Sequence, residues 1–174
     1  SAAARRLQIP FLFKASFDKA NRSDLGSYRG PGLEAGLTLL AQIKDKFGVR
    51  IITDVHESTQ VGSVAEVADM IQIPAFLSRQ TDLLAAVAGA QRPVLLKKMQ
   101  MMSPECALQA RRKLLELGAQ QVAICERGTT FGYRNLVLDF QGICELMRQE
   151  APVVVDVSHA VQQPGALGTS TGGR

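Results

Sequence analysis

Short β-prone apolar runs alternate with helical stretches along this chain, and this order constrains the fold more than any other feature. Most of the runs place apolar residues side by side rather than in strict alternation, which is typical of parallel strands covered on both faces. The six runs are FLFKASF (11–17), RIITDVH (50–56), MIQIPAF (70–76), PVLLKKM (93–99), VAICERG (122–128) and PVVVDVSH (152–159).

Amphipathic patterns between the runs predict the helices. One apolar stripe steps by three and four residues and stops at Gly48, and a second helix is predicted to begin at Ser103-Pro104-Glu105 and to end at Gly118. Shorter helices are expected over 59–68 and 81–90. The first stripe consists of Leu33, Leu37, Leu40, Ile43 and Phe47, and a third helical stripe of Leu136, Phe140, Ile143 and Met147.

The alternation predicts an α/β protein with a parallel sheet, either open and doubly wound or closed as a (β/α)8 barrel. No G-x-G-x-x-G follows a strand, and polar residues follow every strand, which favours the barrel. Six strands are too few for a closed barrel. We therefore predict one domain over 1–174, an incomplete (β/α)8 TIM barrel that lacks a first and a last strand, with SAAARRLQ as the end of a helix.

Composition excludes several classes of protein. The net charge is +4, but 20 Lys and Arg are scattered among 16 Asp and Glu, which argues against nucleic-acid binding. No apolar run is long enough to cross a bilayer and no signal peptide is recognisable, so we expect a soluble cytoplasmic protein without a membrane partner. Without a C-x-x-C, Cys106, Cys125 and Cys144 are expected to be reduced and mostly buried.

Charged and polar residues crowd the ends of the predicted strands. In a barrel these ends meet at one face, and clustered cations persist there only if anions neutralise them. Lys and Arg suit phosphate and carboxylate groups, so we predict a site for a phosphorylated small molecule. The residues are Lys14, Lys19, Asn21, Arg22, Ser23, Asp54, His56, Glu57, Gln72, Arg79, Lys97, Lys98, Gln100, Glu126, Arg127, Asp156, Ser158 and His159.

Several of these residues also have plainer interpretations. Lys14 could point to water from an edge strand, and one of Lys97 and Lys98 could face the helices, because side chains alternate along a strand. Glu57 could cap a helix. His159 could be structural, a general base or a metal ligand. A lysine Schiff base at Lys14 or Lys97 is chemically possible, although a phosphate-rich site would hold its lysines charged.

Seven motifs, in order along nearly the whole chain, resemble the 3-deoxy-D-manno-octulosonate 8-phosphate synthase family. They are FKASFDKANRS, SYRGPGLE, IITDVHE, IQIPAFLSRQTDLL, the KK-x-Q of KKMQMMSP, ERGTTFGY and DVSHAVQ-PG-LG. The sister synthase that makes a seven-carbon product carries a Lys-Pro-Arg-Thr type motif where this chain has KANRS (19–23). That difference favours the eight-carbon enzyme.

The resemblance implies a condensation of phosphoenolpyruvate with arabinose 5-phosphate and water. It assigns Lys14 and Lys19 to the phosphoenolpyruvate carboxylate region, and Lys97 and Arg127, with Gln100 nearby, to its phosphate. Asn21, Arg22 and Ser23 would hold the pentose phosphate group, and Asp54 would face the sugar hydroxyls. Gln72, Pro74 and Ala75 would line the site, and Phe76 and Arg79 would reach the site of a neighbouring subunit. The residues assigned to catalysis are Lys19, Asn21, Asp54 and His159.

The resemblance also implies a homo-oligomer, usually a tetramer, and a product that enters lipopolysaccharide in Gram-negative bacteria or a pectic polysaccharide in plants. Its members either need no metal or bind one divalent ion through His159. HESTQ, ERGTTFGY and QQPGALG favour the metal-dependent group, whereas Met99 matches neither group and the first-strand ligand is absent from this chain. Three alternatives stay open: a related synthase using another aldose, a Schiff-base aldolase, and a barrel that binds phosphosugars without turnover.

Overall fold

The structure is a computed structural model that describes residues 2–130, 135–168 and 170–173. Its centre is a six-stranded sheet in which every strand runs parallel to its neighbours and the spatial order follows the chain order. This arrangement confirms the predicted partial (β/α)8 barrel. The strands are β1 (Leu12–Lys14), β2 (Arg50–Asp54), β3 (Met70–Ile73), β4 (Val94–Lys97), β5 (Val122–Glu126) and β6 (Val153–Val155).

Helices connect the strands where the apolar patterns predicted them. They are α1 (Ala2–Arg6), α2 (Leu33–Phe47), α3 (Val61–Val67), α4 (Thr81–Gly89), α5 (Pro104–Glu116) and α6 (Phe140–Arg148). The α2 helix ends at Gly48, which adopts the left-handed conformation. The Ser103 hydroxyl caps α5 by accepting from the Cys106 N–H at 3.3 Å. Short 3₁₀ turns cover Ser58–Gln60, Ala75–Leu77 and His159–Val161, and a small antiparallel pair joins β7 (Gln162–Gln163) to β8 (Gly172–Gly173).

One helix boundary was predicted wrongly. Leu136 was assigned to the third helical stripe, but α6 begins at Phe140, where the Asp139 carboxylate accepts from the Gly142 N–H at 2.9 Å. Leu136 precedes the helix in an extended segment, in which the neighbouring Val137 forms an isolated bridge with Thr129. The apolar spacing correctly predicted that Leu136 is buried, but the residue lies in an extended segment before α6 and not in the helix.

The two faces of the sheet have different partners. Ile51, Ile71, Leu96 and Ile124 point to the helices and are fully buried with them. The opposite face carries a smaller apolar layer formed by Ile52, Leu95 and Cys125, with Leu12, Met70 and Ala123 packed around it. Burial on both faces therefore holds for the central strands, whereas the edge strand β6 leaves Val154 43% and Val155 38% exposed. We call the face opposite the helices the inner face.

The expectation that the cysteines are mostly buried was wrong. All three thiols are free, but Cys106 on α5 and Cys144 on α6 are exposed and only Cys125 is buried. A cysteine on an amphipathic helix is buried only if it lies on the apolar stripe, and these two do not. No helix among the described residues is long and apolar enough to span a membrane.

Candidate active site

The carboxyl ends of the strands carry a polar layer on the inner face, above the apolar layer. Residues paired in register share a face, so the pairs Asp54–Gln72 and Lys97–Cys125 place these side chains on the inner face with Ile52 and Leu95. Asp54, Gln72 and Lys97 are each less than 9% exposed. The sheet therefore brings the predicted strand-end residues of β2, β3 and β4 together.

Asp54 is held between a lysine and a histidine. Its Oδ2 lies 3.2 Å from His56 Nε2, and its Oδ1 lies 3.9 Å from Lys14 Nζ and has no hydrogen-bond partner. Burial would raise the pKa of Asp54, but the hydrogen bond from His56 and the charge of Lys14 outweigh it and lower the pKa to about 2. Asp54 is thus an ionised buried carboxylate with one oxygen free to accept a ligand hydroxyl.

Lys14 and Lys19 meet at Ser16. The Ser16 hydroxyl accepts from Lys19 Nζ at 2.9 Å and from Lys14 Nζ at 3.4 Å. Burial and the charges of Lys19 and Lys97 lower the pKa of Lys14, against the opposing effect of Asp54. The Lys14 side chain is 38% exposed, so the interpretation that it points to water is correct in part, yet it remains in contact with the site.

The second cluster is built on Asp156, which follows β6. Asp156 Oδ2 lies 2.7 Å from both Lys97 Nζ and His159 Nδ1, and Oδ1 accepts from the His159 backbone N–H at 3.0 Å. Burial opposes ionisation, but these hydrogen bonds hold the pKa of Asp156 well below its usual range. Because an ionised carboxylate can only accept, Nδ1–H of His159 donates to Asp156, and Nε2 is the ring nitrogen that remains for another partner.

Arg127 after β5 is buried, and Gln100 after β4 is half-buried. Arg127 is 7% exposed and donates from Nη2 to Gln162 Oε1 at 3.2 Å. Burial lowers its pKa, with Asp156 acting in the opposite direction. Gln100 Oε1 is buried without a hydrogen-bond partner, while its backbone carbonyl accepts from Thr130 N–H at 2.9 Å. A buried guanidinium that, among the described residues, donates to a neutral amide is well suited to an anionic ligand.

Lys98 points away from this layer. It is 1% exposed, its Nζ lies 3.1 Å from Glu126 Oε2, and it donates to the Thr129 hydroxyl at 2.8 Å. The interpretation that one of the two adjacent lysines faces the helices is therefore confirmed for Lys98. Glu57 does cap a turn, since its side chain and that of Gln60 form reciprocal bonds with the backbone.

The other predicted site residues lie farther along the loops. Gln72 and Ala75 are buried at the end of β3 and in the following turn, and Pro74 between them is half-buried. Phe76 and Arg79 are exposed. Asn21, Arg22 and Ser23 lie in an exposed loop, and no hydrogen bond joins this loop segment to the strand-end cluster within the residues that the structure describes.

Sequence reasoning left Asp156 and Gln162 out of the assigned site. Asp156 was noted only as a strand-end residue, although its position three residues before His159 at the end of a strand was a usable signal. Gln162 reaches Arg127 from the QQPG segment. Phe131, Gly132 and Tyr133 of the ERGTTFGY motif lie outside the described residues.

The donors present do not by themselves make a metal site. No group of three or more His, Cys, Asp or Glu side chains suited to a metal ion occurs in the described ranges. Lys97 Nζ lies 3.5 Å from His159 Nδ1, so the donors around this ring include a cation. Of the donors in this cluster, Nε2 of His159 is the one left to bind a metal.

Comparison with known proteins identifies the family. The model of the DAHP synthetase I family matches residues 1–171. The chain belongs to this family. It is 55% identical over 170 residues to the 2-dehydro-3-deoxyphosphooctonate aldolase of Acinetobacter baylyi, 54% over 169 residues to that of Marinobacter nauticus and 52% over 168 residues to that of Fusobacterium nucleatum.

These matches cover nearly the whole chain but only part of each relative. They include 97–98% of this chain and 60% of each relative's length. The resemblance drawn from the seven motifs is confirmed, because the relatives carry the name of the eight-carbon branch within the wider family. The chain thus spans about 60% of the curated relatives that it matches.

Proposed function

We propose that this family member acts in the condensation of phosphoenolpyruvate with D-arabinose 5-phosphate and water, which yields 3-deoxy-D-manno-octulosonate 8-phosphate and inorganic phosphate. The observation that carries the proposal is the inner-face cluster of Lys14, Lys19, Lys97 and Arg127 at the strand ends. Relatives more than 50% identical are named for this eight-carbon product.

The proposed phosphoenolpyruvate subsite uses the central part of the cluster. Lys97 and Arg127, both buried, hold the phosphate, with Gln100 nearby. Lys14 and Lys19, joined through Ser16, hold the carboxylate region. Lys97 and Arg127 are 6% and 7% exposed, so little solvent screens their charges, whereas Lys14 and Lys19 lie at the exposed rim of the site.

The proposed pentose subsite lies toward the first loop. Arg22 offers the planar fork that binds phosphate, and Asn21 and Ser23 add neutral donors. Asp54 is buried and ionised, and its Oδ1, 3.9 Å from Lys14 Nζ, makes no hydrogen bond within the described residues, so it can accept one from a sugar hydroxyl. Gln72, Pro74 and Ala75 are proposed to line the space between the two substrates.

The reaction joins two carbon atoms and cleaves the phosphate ester. Water adds at C2 of phosphoenolpyruvate while C3 bonds to the aldehyde carbon, and the tetrahedral phosphate intermediate then loses inorganic phosphate. The cations stabilise the negative charge that develops and hold together two substrates that repel one another. Asp156 fixes Nδ1 of His159, which leaves Nε2 to take or return a proton in a metal-free site, or to hold the ion where a metal is bound.

Three further parts of the proposal concern the whole protein. A divalent ion bound through His159, with other ligands from beyond the described residues, agrees with the HESTQ and QQPGALG motifs and would supply Lewis-acid chemistry. The exposed Phe76 and Arg79 are proposed to reach a neighbouring site in a homotetramer. The product would serve lipopolysaccharide synthesis in the cytoplasm.

The decisive experiment follows the loss of phosphoenolpyruvate absorbance. It uses the 174-residue chain and a version completed with the remaining sequence of the Acinetobacter baylyi relative. Arabinose 5-phosphate and erythrose 4-phosphate are compared side by side. Turnover with arabinose 5-phosphate alone supports the proposal, whereas a preference for erythrose 4-phosphate assigns the chain to the seven-carbon branch. If both proteins bind the substrates saturably and neither releases phosphate, catalysis is refuted and a binding role is supported.

A further inference from the structure

The buried Lys98–Glu126 pair lies directly behind the proposed anion site. Lys98 follows Lys97 at the end of β4, and Glu126 precedes Arg127 at the end of β5. Since side chains alternate along a strand, Lys97 and Arg127 occupy the inner face and their neighbours the helix-facing side. Each anion-binding residue is therefore covalently adjacent to one member of the buried pair.

Lys98 and Glu126 are connected to the loop that follows Arg127. Glu126 Oε1 accepts from the Gly128 N–H at 2.7 Å, and Lys98 Nζ donates to the Thr129 hydroxyl at 2.8 Å. The Thr130 N–H in turn donates to the Gln100 carbonyl at 2.9 Å. These bonds fasten the loop after β5 to the end of β4, so they fix the distance between the backbones that carry Lys97 and Arg127.

Stability alone is a weak reason for burying this pair. Glu126 is 0% and Lys98 1% exposed. The free energy needed to remove two charges from water offsets much of the electrostatic attraction between them. Well-packed apolar residues of similar size are often as stabilising as such a pair. What apolar residues cannot supply is a set of directed bonds to the Gly128 N–H and the Thr129 hydroxyl.

We propose that Lys98 and Glu126 are positioning residues that set the spacing of Lys97 and Arg127 for one phosphate group. The inference rests on the anion-binding role proposed above for Lys97 and Arg127. Neither Lys98 nor Glu126 touches the ligand. They act through the strand ends and the 127–130 backbone.

The test separates positioning from stability with single and double variants. Lys98→Met and Glu126→Gln each leave one buried charge unpaired and are expected to destabilise the fold. The double variant leaves none, and the amide oxygen introduced by Glu126→Gln can still accept from the Gly128 N–H, so stability is expected to recover. Phosphate affinity is not expected to recover, because the double variant still lacks the bond from Lys98 to the Thr129 hydroxyl. Removing an outer-shell partner that orients a metal ligand typically costs about tenfold to a hundredfold in affinity, and we expect a loss of the same order for phosphate here.

Calorimetric titration of inorganic phosphate into the 174-residue chain provides the readout. A stable double variant that binds phosphate at least about tenfold more weakly supports the proposal. Lys44→Met is the matched control, because it breaks the Lys44–Asp69 pair of 2.9 Å at the opposite end of the strands and should leave phosphate affinity unchanged. In the completed protein, KM for phosphoenolpyruvate should rise while KM for arabinose 5-phosphate stays the same.

The contrary results are equally distinct. A double variant with restored stability and unchanged phosphate affinity would show that the pair is only structural. If the double variant does not fold, Thr129→Val removes one directed bond at nearly constant volume, and unchanged phosphate affinity in it overturns the proposal. Absence of phosphate binding in the unsubstituted chain removes the anion site and the positioning role together. Phosphate binding that responds to the variants without any turnover would refute the proposed reaction and leave the positioning role intact.

Discussion

Asp54 offers a quantitative test because its ionisation is coupled to folding. Its pKa falls from 3.8 to about 2 in the folded protein, owing to His56 and Lys14 acting against burial. A depressed carboxylate pKa stabilises the folded state above the pKa of the unfolded chain, and that stabilisation disappears as the pH falls toward the folded value. At roughly 1.4 kcal/mol per pKa unit, the ionised carboxylate contributes about 2 kcal/mol at neutral pH.

Asp54→Asn removes the charge at nearly constant volume. We expect it to lower the free energy of unfolding by about 2 kcal/mol at pH 7, and the linkage relation reduces the difference to about 1 kcal/mol near pH 3. The measurement is urea-induced unfolding of both proteins at several pH values from about 7 to about 3.

The pH dependence is what distinguishes this mechanism from ordinary loss of packing. Asp45→Asn serves as the control, because a substitution at this helix-surface position should change the free energy of unfolding by less than about 0.5 kcal/mol. An Asp54→Asn protein as stable as the original at pH 7 would refute the coupling. So would a stability difference that stays constant or grows as the pH falls.

The remaining predictions concern the loops and the ligands. Arg22→Ala should weaken the binding of arabinose 5-phosphate far more than that of phosphoenolpyruvate, as measured by the two KM values of the completed protein. An equal rise in both KM values would contradict the assignment of the 21–23 segment. Gly128→Ala should destabilise the fold by about 1–3 kcal/mol, because φ is +95° and a Cβ would lie 3.0 Å from that of Leu136. Gly62→Ala on α3, where a Cβ meets nothing within 4 Å, should instead stabilise it in the same urea titration. A chelator should abolish turnover if His159 binds a catalytic metal, and unchanged turnover after exhaustive chelation would remove the metal from the proposal.

Local pattern was sufficient to predict the elements of the fold. Each strand run and each apolar stripe is a contiguous signal, so the six strands and the helices between them followed from sequence. The ends of the strands did not follow from sequence, because hydrogen-bond pairing with a neighbouring strand decides where each strand begins and ends. The first run extends over 11–17, but only Leu12–Lys14 find register partners on β2. The Leu136 spacing similarly imitated a helical stripe although the Asp139 cap starts the helix later.

The candidate site was predictable only as a collection of charges. Strand ends meet in a parallel sheet, so the gathering of Lys14, Asp54 and Lys97 followed from the fold. Their hydrogen-bond partners could not be predicted in this way. Lys97 and Asp156, for example, are 59 residues apart and meet only because β4, β5 and β6 follow one another in the sheet. The exposed Arg22 loop carries no structural signal of its own, and its role was inferred from the resemblance alone.

The charge balance of the inner face connects the fold to the chemistry proposed for it. Four cations face two carboxylates there, while Lys98 and Glu126 neutralise one another on the helix side. The inner face thus has an excess of two positive charges in a partly buried site, which an anion must compensate. A phosphoenolpyruvate molecule carries about three negative charges on its phosphate and carboxylate, which more than compensate an excess of two positive charges. A second phosphorylated substrate then requires another cation, and the Arg22 loop is where the chain offers one. The cations on the inner face are Lys14, Lys19, Lys97 and Arg127, and the carboxylates are Asp54 and Asp156.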